Sequence, residues 1–174
     1  MTTKLVISAL GADRPGIVDE LSNILYRHRL NIEDSRMTVL GGEFAILLLV
    51  SGEPEDISLF QSMLDEVGQS LQMQLIAKTT TEGRGDEKAI PYEVEVAALD
   101  NPGIVYNIAR FFSGRDINIV NCQTERYAAP HTGSPMFALH MTIGIPADIN
   151  IAQLRDEFTR TCDELNLDAE MKNL

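Results

Sequence analysis

Two short segments of this sequence hold the residue types that a small zwitterion requires. Asp13-Arg14-Pro15-Gly16-Ile17 and Asp100-Asn101-Pro102-Gly103-Ile104 each set a carboxylate ahead of a glycine, just before an apolar-periodic stretch. If that glycine opens a helix, the unpaired N–H groups and partial positive charge of the first turn suit an α-carboxylate. Glycine has no Cβ, so a small ligand can approach the backbone closely. Asp13 or Asp100 then meets an ammonium group. Asn31-Ile32 and Asn118-Ile119 add side-chain amides able to hold either end of the ligand, and Ile17 and Ile32 wall off its apolar side. Such a pocket accommodates glycine or another small amino acid. The same residues also fit a plain structural role, since Asp before Pro-Gly favours a helix start and Asn at a strand start caps turns. Arg14, replaced by Asn101, is the main difference between the two loops, so the two sites need not bind equally.

Other chemistry finds little support. His28, His131 and His140 have no ligand spacing between them, and Cys122 and Cys162 are too few and too far apart for a disulfide framework or a zinc site. Cys122 as a nucleophile needs a base; His140, on a neighbouring strand, is the candidate, and nothing in the spacing singles it out. The glycines form neither a GxGxxG nor a P-loop run, so nucleotide binding is unsupported. Met37, Met63, Met73 and Met141 read as core filling. No catalytic residue, metal or cofactor is expected.

The elements that must position the two loops are themselves duplicated. Asp13, Pro15 and Gly16 return as Asp100, Pro102 and Gly103 at an offset of 87, which also carries Asn31-Ile32 onto Asn118-Ile119 and Leu21, Ile24 and Leu25 onto Ile108, Phe111 and Phe112. In the first copy, 4–10 reads as a strand, and Ile17, Leu21, Ile24, Leu25 and His28 recur at helical spacing. Asp13 and Pro15 supply start signals for that helix. Residues 31–40 and 43–50 form a hairpin across Gly41-Gly42. One amphipathic helix then runs from Pro54 through Phe60, Met63, Leu64, Val67 and Leu71, and 72–80 closes the copy as a strand. The second copy repeats this order with strands at 92–99, 117–127, 135–145 and 167–172, a helix through Ile104, Ile108, Phe111 and Phe112, and a helix at 150–166. Phe44 aligns with Phe137 at an offset of 93, so the second hairpin turn carries six extra residues, near 128–134.

Two βαββαβ copies, each an antiparallel sheet with its helices on one face, make an α+β protein of two tandem ferredoxin-like domains. The expected boundaries are 1–80 for the first domain, 81–90 for a polar linker and 91–174 for the second. Alternation puts Leu5, Ile7 and Ala9 inward and Val6, Ser8 and Leu10 outward, beside Ala45, Leu47 and Leu49. The equivalent outward set in the second copy is Glu93, Glu95, Ala97, Ala138, His140 and Thr142. The first copy's open face is thus the more apolar, and Val6, Ala45, Leu47 and Leu49 are candidates for a partner interface. Self-association through that face is expected.

With 174 residues, 44% hydrophobic and 23% charged, the composition is that of an ordinary globular protein. Fourteen basic against 26 acidic residues give a net charge of −12, which repels phosphate backbones and anionic lipid and argues against direct nucleic-acid binding. There is no apolar run long enough to span a membrane and no leader pattern, and two scattered cysteines fit reduced thiols; the expected location is cytoplasmic.

The doubled pattern of Asp13-Arg14-Pro15-Gly16 and Asp100-Asn101-Pro102-Gly103, with Asn31-Ile32 and Asn118-Ile119 opening the next strand, resembles the ACT domain. That family comprises small modules that bind amino acids and regulate what is attached to them. The resemblance covers nearly the whole chain outside the linker and the six-residue insertion. A chain of two such units without a catalytic domain is similar to accessory regulators of the glycine-cleavage type, which act through a DNA-bound LysR-type activator rather than by touching DNA. The resemblance therefore implies a non-catalytic, amino-acid-responsive transcriptional regulator with glycine as its ligand. A regulatory subunit of a biosynthetic enzyme is the alternative it leaves open.

Overall fold

The computed structural model describes residues 2–81 and 89–174, which form two compact units, one on each side of the segment between them. The expected linker lies mostly in 82–88, outside the described residues. The first unit runs β1 (Thr3–Ala12), α1 (Ile17–Arg27), β2 (Asn31–Leu40), β3 (Glu43–Gly52), α2 (Pro54–Ser62), α3 (Leu64–Leu71) and β4 (Met73–Thr80). The second runs β5 (Ile90–Leu99), α4 (Ile104–Ser113), β6 (Asn118–Ala128), β7 (Pro135–Ile145), α5 (Ile151–Glu164) and β8 (Asp168–Asn173). Each unit carries one four-stranded antiparallel sheet, ordered β2-β3-β1-β4 and β6-β7-β5-β8. Both are the ferredoxin-like arrangement, and each edge strand follows the first or the last helical segment of its unit.

The strand alternation is as the sequence indicates. Leu5, Ile7 and Ala9 of β1 and Ile46, Leu48 and Val50 of β3 are buried beneath the helices, where Leu21, Leu25, Phe60 and Leu71 close the first core. In the second unit Val94, Val96, Leu139 and Ile143 meet Ile108, Phe112 and Phe158. The rings of Phe112 and Phe158 lie 5.3 Å apart between α4 and α5. Burying such side chains contributes about 1.5–3 kcal/mol each, which is what holds a module of this size together.

One element differs from expectation. The helix read as continuous from Pro54 to Leu71 is divided at Met63, whose φ of −104° and ψ of 5° interrupt it. The Met63 N–H donates to Phe60 O at 3.1 Å, a three-residue return that tightens the turn, and the Val67 N–H resumes from Met63 O at 2.9 Å. Ile57 and Phe60 before the break and Val67 and Leu71 after it all stay buried, so apolar periodicity runs through it unmarked. The second unit has a single α5 there, started by Asn150, whose side chain accepts from the Gln153 N–H at 3.1 Å.

Candidate functional site

The corner between β1 and α1 is built by its glycine. Gly16 is the N-cap of α1 with φ 90° and ψ −7°, a left-handed conformation that side chains with a Cβ resist. Gly103 does the same for α4 with φ 96° and ψ −1°. The helices therefore begin at Ile17 and Ile104. Pro15 and Pro102 precede the cap instead of occupying the first turn, and neither Asp13 nor Asp100 caps. Among the described residues no side chain accepts from the first-turn amides of either helix. The corner is tied to the hairpin in both units: the Asp13 N–H donates to Gly42 O at 3.0 Å, and the Asp100 N–H to Pro135 O at 2.9 Å. Ile17 and Ile104 are buried in their cores, so they support the corner from below and do not line a site above it.

The two corners are furnished differently. In the first, Arg14 Nη1 and Nη2 donate to Glu20 Oε1 and Oε2 at 2.7 Å each, and Nη2 also reaches Leu71 O, at the end of α3, at 3.3 Å. Glu20 Oε1 lies 3.5 Å from where a Cβ on Gly16 would stand, so the chain's own carboxylate covers the corner. The hydrogen bond to Arg14 holds the Glu20 carboxyl below its usual range and raises the guanidinium in return. In the second corner, Asn101 and Asn107 stand at the corresponding positions. Asn101 Nδ2 donates to Leu99 O at 3.0 Å, and Asn107 Nδ2 lies 3.8 Å from the Cβ position of Gly103. Asp100 is paired with Arg126 Nε at 2.9 Å, whereas Asp13 is exposed. Arg14 and Asp100 thus each have a partner in their own unit.

The expected joining of corner and asparagine within one copy is corrected. Asn31 pairs with Ser51, which pairs with Lys4 near the start of β1, while the Asp13-to-Gly16 corner follows the far end of that strand. About eight residues of strand, or roughly 26 Å, separate them. Asn118, opposite Gly144 and hence Pro91, is equally remote from Gly103. The order of elements carried this information. A helix that returns the chain makes β2 start where β1 starts, not where it ends. The two asparagine ends also differ. Beside Asn31 and Ile32, Glu33 pairs with Lys4 at 3.0 Å, and hydrogen bonds from the Ser51 hydroxyl and Lys4 lower its carboxyl. Beside Asn118 and Ile119, the matching Val120 is two-thirds exposed.

Glu20, Glu33, Asn107 and Arg126 were not singled out in the sequence. A comparison of the copies at offset 87 holds the signal for one pair, because Arg14/Glu20 and Asn101/Asn107 change together. Cys122 lies on exposed β6 opposite inward-facing Met141, while His140 is on the open face, 3.9 Å from Glu95; the pairing of Cys122 with His140 does not form. Among the described residues no His, Cys, Asp and Glu cluster is placed to hold a metal, and no helix is long and apolar enough to cross a membrane.

The open sheet faces follow the alternation. Val6, Leu47 and Leu49 lie on the first unit's uncovered face with Ala45, in the register Val6–Leu49, Ser8–Leu47 and Leu10–Ala45. On the second unit's face Lys172 bridges Glu95 at 2.9 Å and Glu170 at 3.0 Å.

Comparison with known proteins now bears on this architecture. The ACT domain family model matches residues 3–78, the described first unit almost entire. The chain is 32% identical over 162 residues to the glycine cleavage system transcriptional repressor of Escherichia coli K12, spanning 93% of this chain and 85% of that protein. This chain belongs to that family of tandem ACT-domain proteins. A protein of unknown function from Galdieria sulphuraria superposes on the whole chain with TM-score 0.85 and 28% identity, covering 99% of that chain. A crystal structure provisionally assigned as a glycine cleavage system transcriptional repressor aligns over 100% of this chain and 98% of its own, with TM-score 0.72 and 28% identity. A Methanopyrus kandleri protein of the UPF0237 group is 38% identical over 78 residues, 44% of this chain and 87% of its own.

Proposed function

We propose that this ACT-domain protein is a non-catalytic regulator of the glycine-cleavage type, which binds a small amino acid, glycine first, and acts in the cytoplasm through a protein partner. The observation that carries this reading is the pair of glycine-capped helix starts, whose first-turn amides no side chain among the described residues caps. Those amides suit a carboxylate, and Asp13 supplies the matching acid for an ammonium in the first unit. The named Escherichia coli relative supports the regulatory role. The first corner binds only as Glu20 gives way, because a ligand carboxylate competes with it for Arg14. At the second corner Asn107, not a carboxylate, lies nearest the cap glycine, and Asp100 is held by Arg126. A LysR-type activator is the partner we propose, since the charge of −12 disfavours DNA itself.

Calorimetric titration of the whole protein with each proteinogenic amino acid tests the ligand. Glycine or a close relative is expected to release heat and raise thermal stability, with Asp13→Ala reducing the effect. No heat from any of them overturns the reading. Co-purification from native extract tests the partner: a transcription activator supports it, and a biosynthetic enzyme replaces it with the regulatory-subunit alternative.

A further inference from the structure

We propose that the open sheet face of the second unit is a docking trough for a basic helix of a partner protein, which lies along the strands between facing carboxylates. The trough is one cross-strand row in register. Glu125 of β6 stands opposite Ala138 of β7, Ala138 opposite Ala97 of β5, and Ala97 opposite Asp168 of β8. Two methyl groups make the floor and an exposed carboxylate rises at each side, around a cavity of about 350 Å³ that Tyr127 and His140 also line. Among the described residues the side chains of Glu125 and Asp168 have no ion-pair or hydrogen-bond partner, whereas Lys172 already bridges Glu95 and Glu170 of the next row. In the row on the other side, Leu99 is 63% exposed and pairs with Met136, which pairs with Tyr127. The first unit has no such trough. There the same row is Thr38, Ala45, Leu10 and Gln74, uncharged at both sides and with a leucine filling the floor.

Spacing and charge select the occupant. β6 and β8 lie three strand intervals of about 4.8 Å apart, so about 14 Å separates Glu125 from Asp168. No metal ion or small amine touches both, and among the described residues no His, Cys, Asp and Glu group is placed to hold a metal. A helix about 10–12 Å across with its side chains does fit between them. Small residues on its lower side rest on Ala97 and Ala138, and Arg or Lys on its two flanks meets the two carboxylates. A flanking arginine also has the Tyr127 ring to stack on. An apolar residue about one turn further along meets Leu99, since rows on one face are about 6.8 Å apart and a helical turn rises about 5.4 Å. A second copy of this chain does not supply that helix: α1, α2, α3 and α5 each carry more acidic than basic residues, and α4 has one cation, Arg110. Helices of the required kind are what DNA-binding proteins lay against phosphates. The inference therefore rests on the reading that this protein acts through a transcription activator, and it names the surface and the chemistry of that contact.

Fluorescence anisotropy with the full-length protein tests this. The probe is a labelled alanine-rich peptide of about 18 residues, long enough to be helical alone, with arginines on both flanks of one small-residue face. The wild type is expected to bind it, less tightly as salt rises. Glu125→Gln with Asp168→Asn is expected to weaken binding at least tenfold. Asp156→Asn with Glu164→Gln removes equal charge from exposed positions of α5 and is expected to change it less than twofold. Ala97→Leu, which gives this face the floor of the first unit, is expected to weaken binding at least tenfold with unchanged far-ultraviolet circular dichroism. Spermine, a flexible polyamine without an apolar side, is expected to compete at least tenfold less well than unlabelled peptide. No binding by the wild type, equal losses from the two amide pairs, indifference to both the Glu125/Asp168 pair and Ala97→Leu, or equal competition by spermine would each overturn the proposal. Failure of the functional reading shows separately, in the glycine titration, which the Glu125/Asp168 pair is expected to leave unchanged. A transcription activator that co-purifies equally with wild type and that pair would overturn this surface and leave the proposed function standing.

Discussion

Arg14 donates to both carboxylate oxygens of Glu20 at 2.7 Å and from the same Nη2 to Leu71 O at 3.3 Å, so one guanidinium joins the start of α1 to the end of α3. The second unit puts Asn101 and Asn107 at the same two places and has no such clasp. Two corners of one backbone design thus present different chemistry to a ligand.

The clasp makes a prediction about pH. Hydrogen bonding lowers the Glu20 carboxyl below its ordinary 4.5, so the clasp contributes stability above that value and loses it as pH falls through the depressed one. Thermal melts of wild type and Glu20→Gln are expected to differ at neutral pH and to converge in acid. Added salt narrows the neutral-pH difference, because the pair is solvent-accessible.

Exchanging the clasp tests the inequality of the corners. Asn101→Arg with Asn107→Glu is expected to weaken glycine binding at the second corner. Arg14→Asn with Glu20→Asn is expected to strengthen it at the first. Calorimetric stoichiometry and affinity read both, and identical isotherms for all three proteins would mean that the clasp does not govern access.

The positive φ of Gly16 and Gly103 predicts a backbone cost independent of any ligand. Gly103→Ala is expected to destabilise by about 1–2 kcal/mol, the penalty for a Cβ in left-handed backbone. Urea unfolding should show a lower midpoint with an unchanged slope. Gly103→Asn should cost less, since asparagine tolerates that region.

Phe158 is 1% exposed and contacts both Phe111 and Phe112, with ring centroids 5.3 Å away in each case. Phe158→Ala is expected to cost about 3–5 kcal/mol. Tyr106, on the outer side of α4 and 62% exposed, is the control; its alanine variant should stay within about 0.5 kcal/mol of wild type in the same denaturation assay.

The two thiols should separate kinetically. Burial pushes Cys162 up to about 11 and leaves it 1% exposed, whereas Cys122 is exposed on its strand. A thiol reagent is expected to modify Cys122 in the folded protein and Cys162 only in denaturant. Rapid labelling of both in the native state would contradict the packing of α5.

The sequence by itself determined the duplication, the order of elements and the inward set of each strand. Periods of two and of about 3.6 residues are written directly in residue types, and Gly41-Gly42 closes its hairpin with Leu40 paired to Glu43 as the spacing requires. The break at Met63 escaped it because the buried stripe continues across the joint. The partners of Arg14, Asp100 and Glu33 escaped it because ion pairs follow side-chain reach in space, and a carboxylate six residues on leaves no periodic trace. Asp13 and Asn31, near in sequence and matched in chemistry, lie at opposite ends of one sheet, a separation implicit in the order of elements and made explicit only by the strand register. The reason is directional: β1 and β2 run the same way, so the end of one can never adjoin the start of the other.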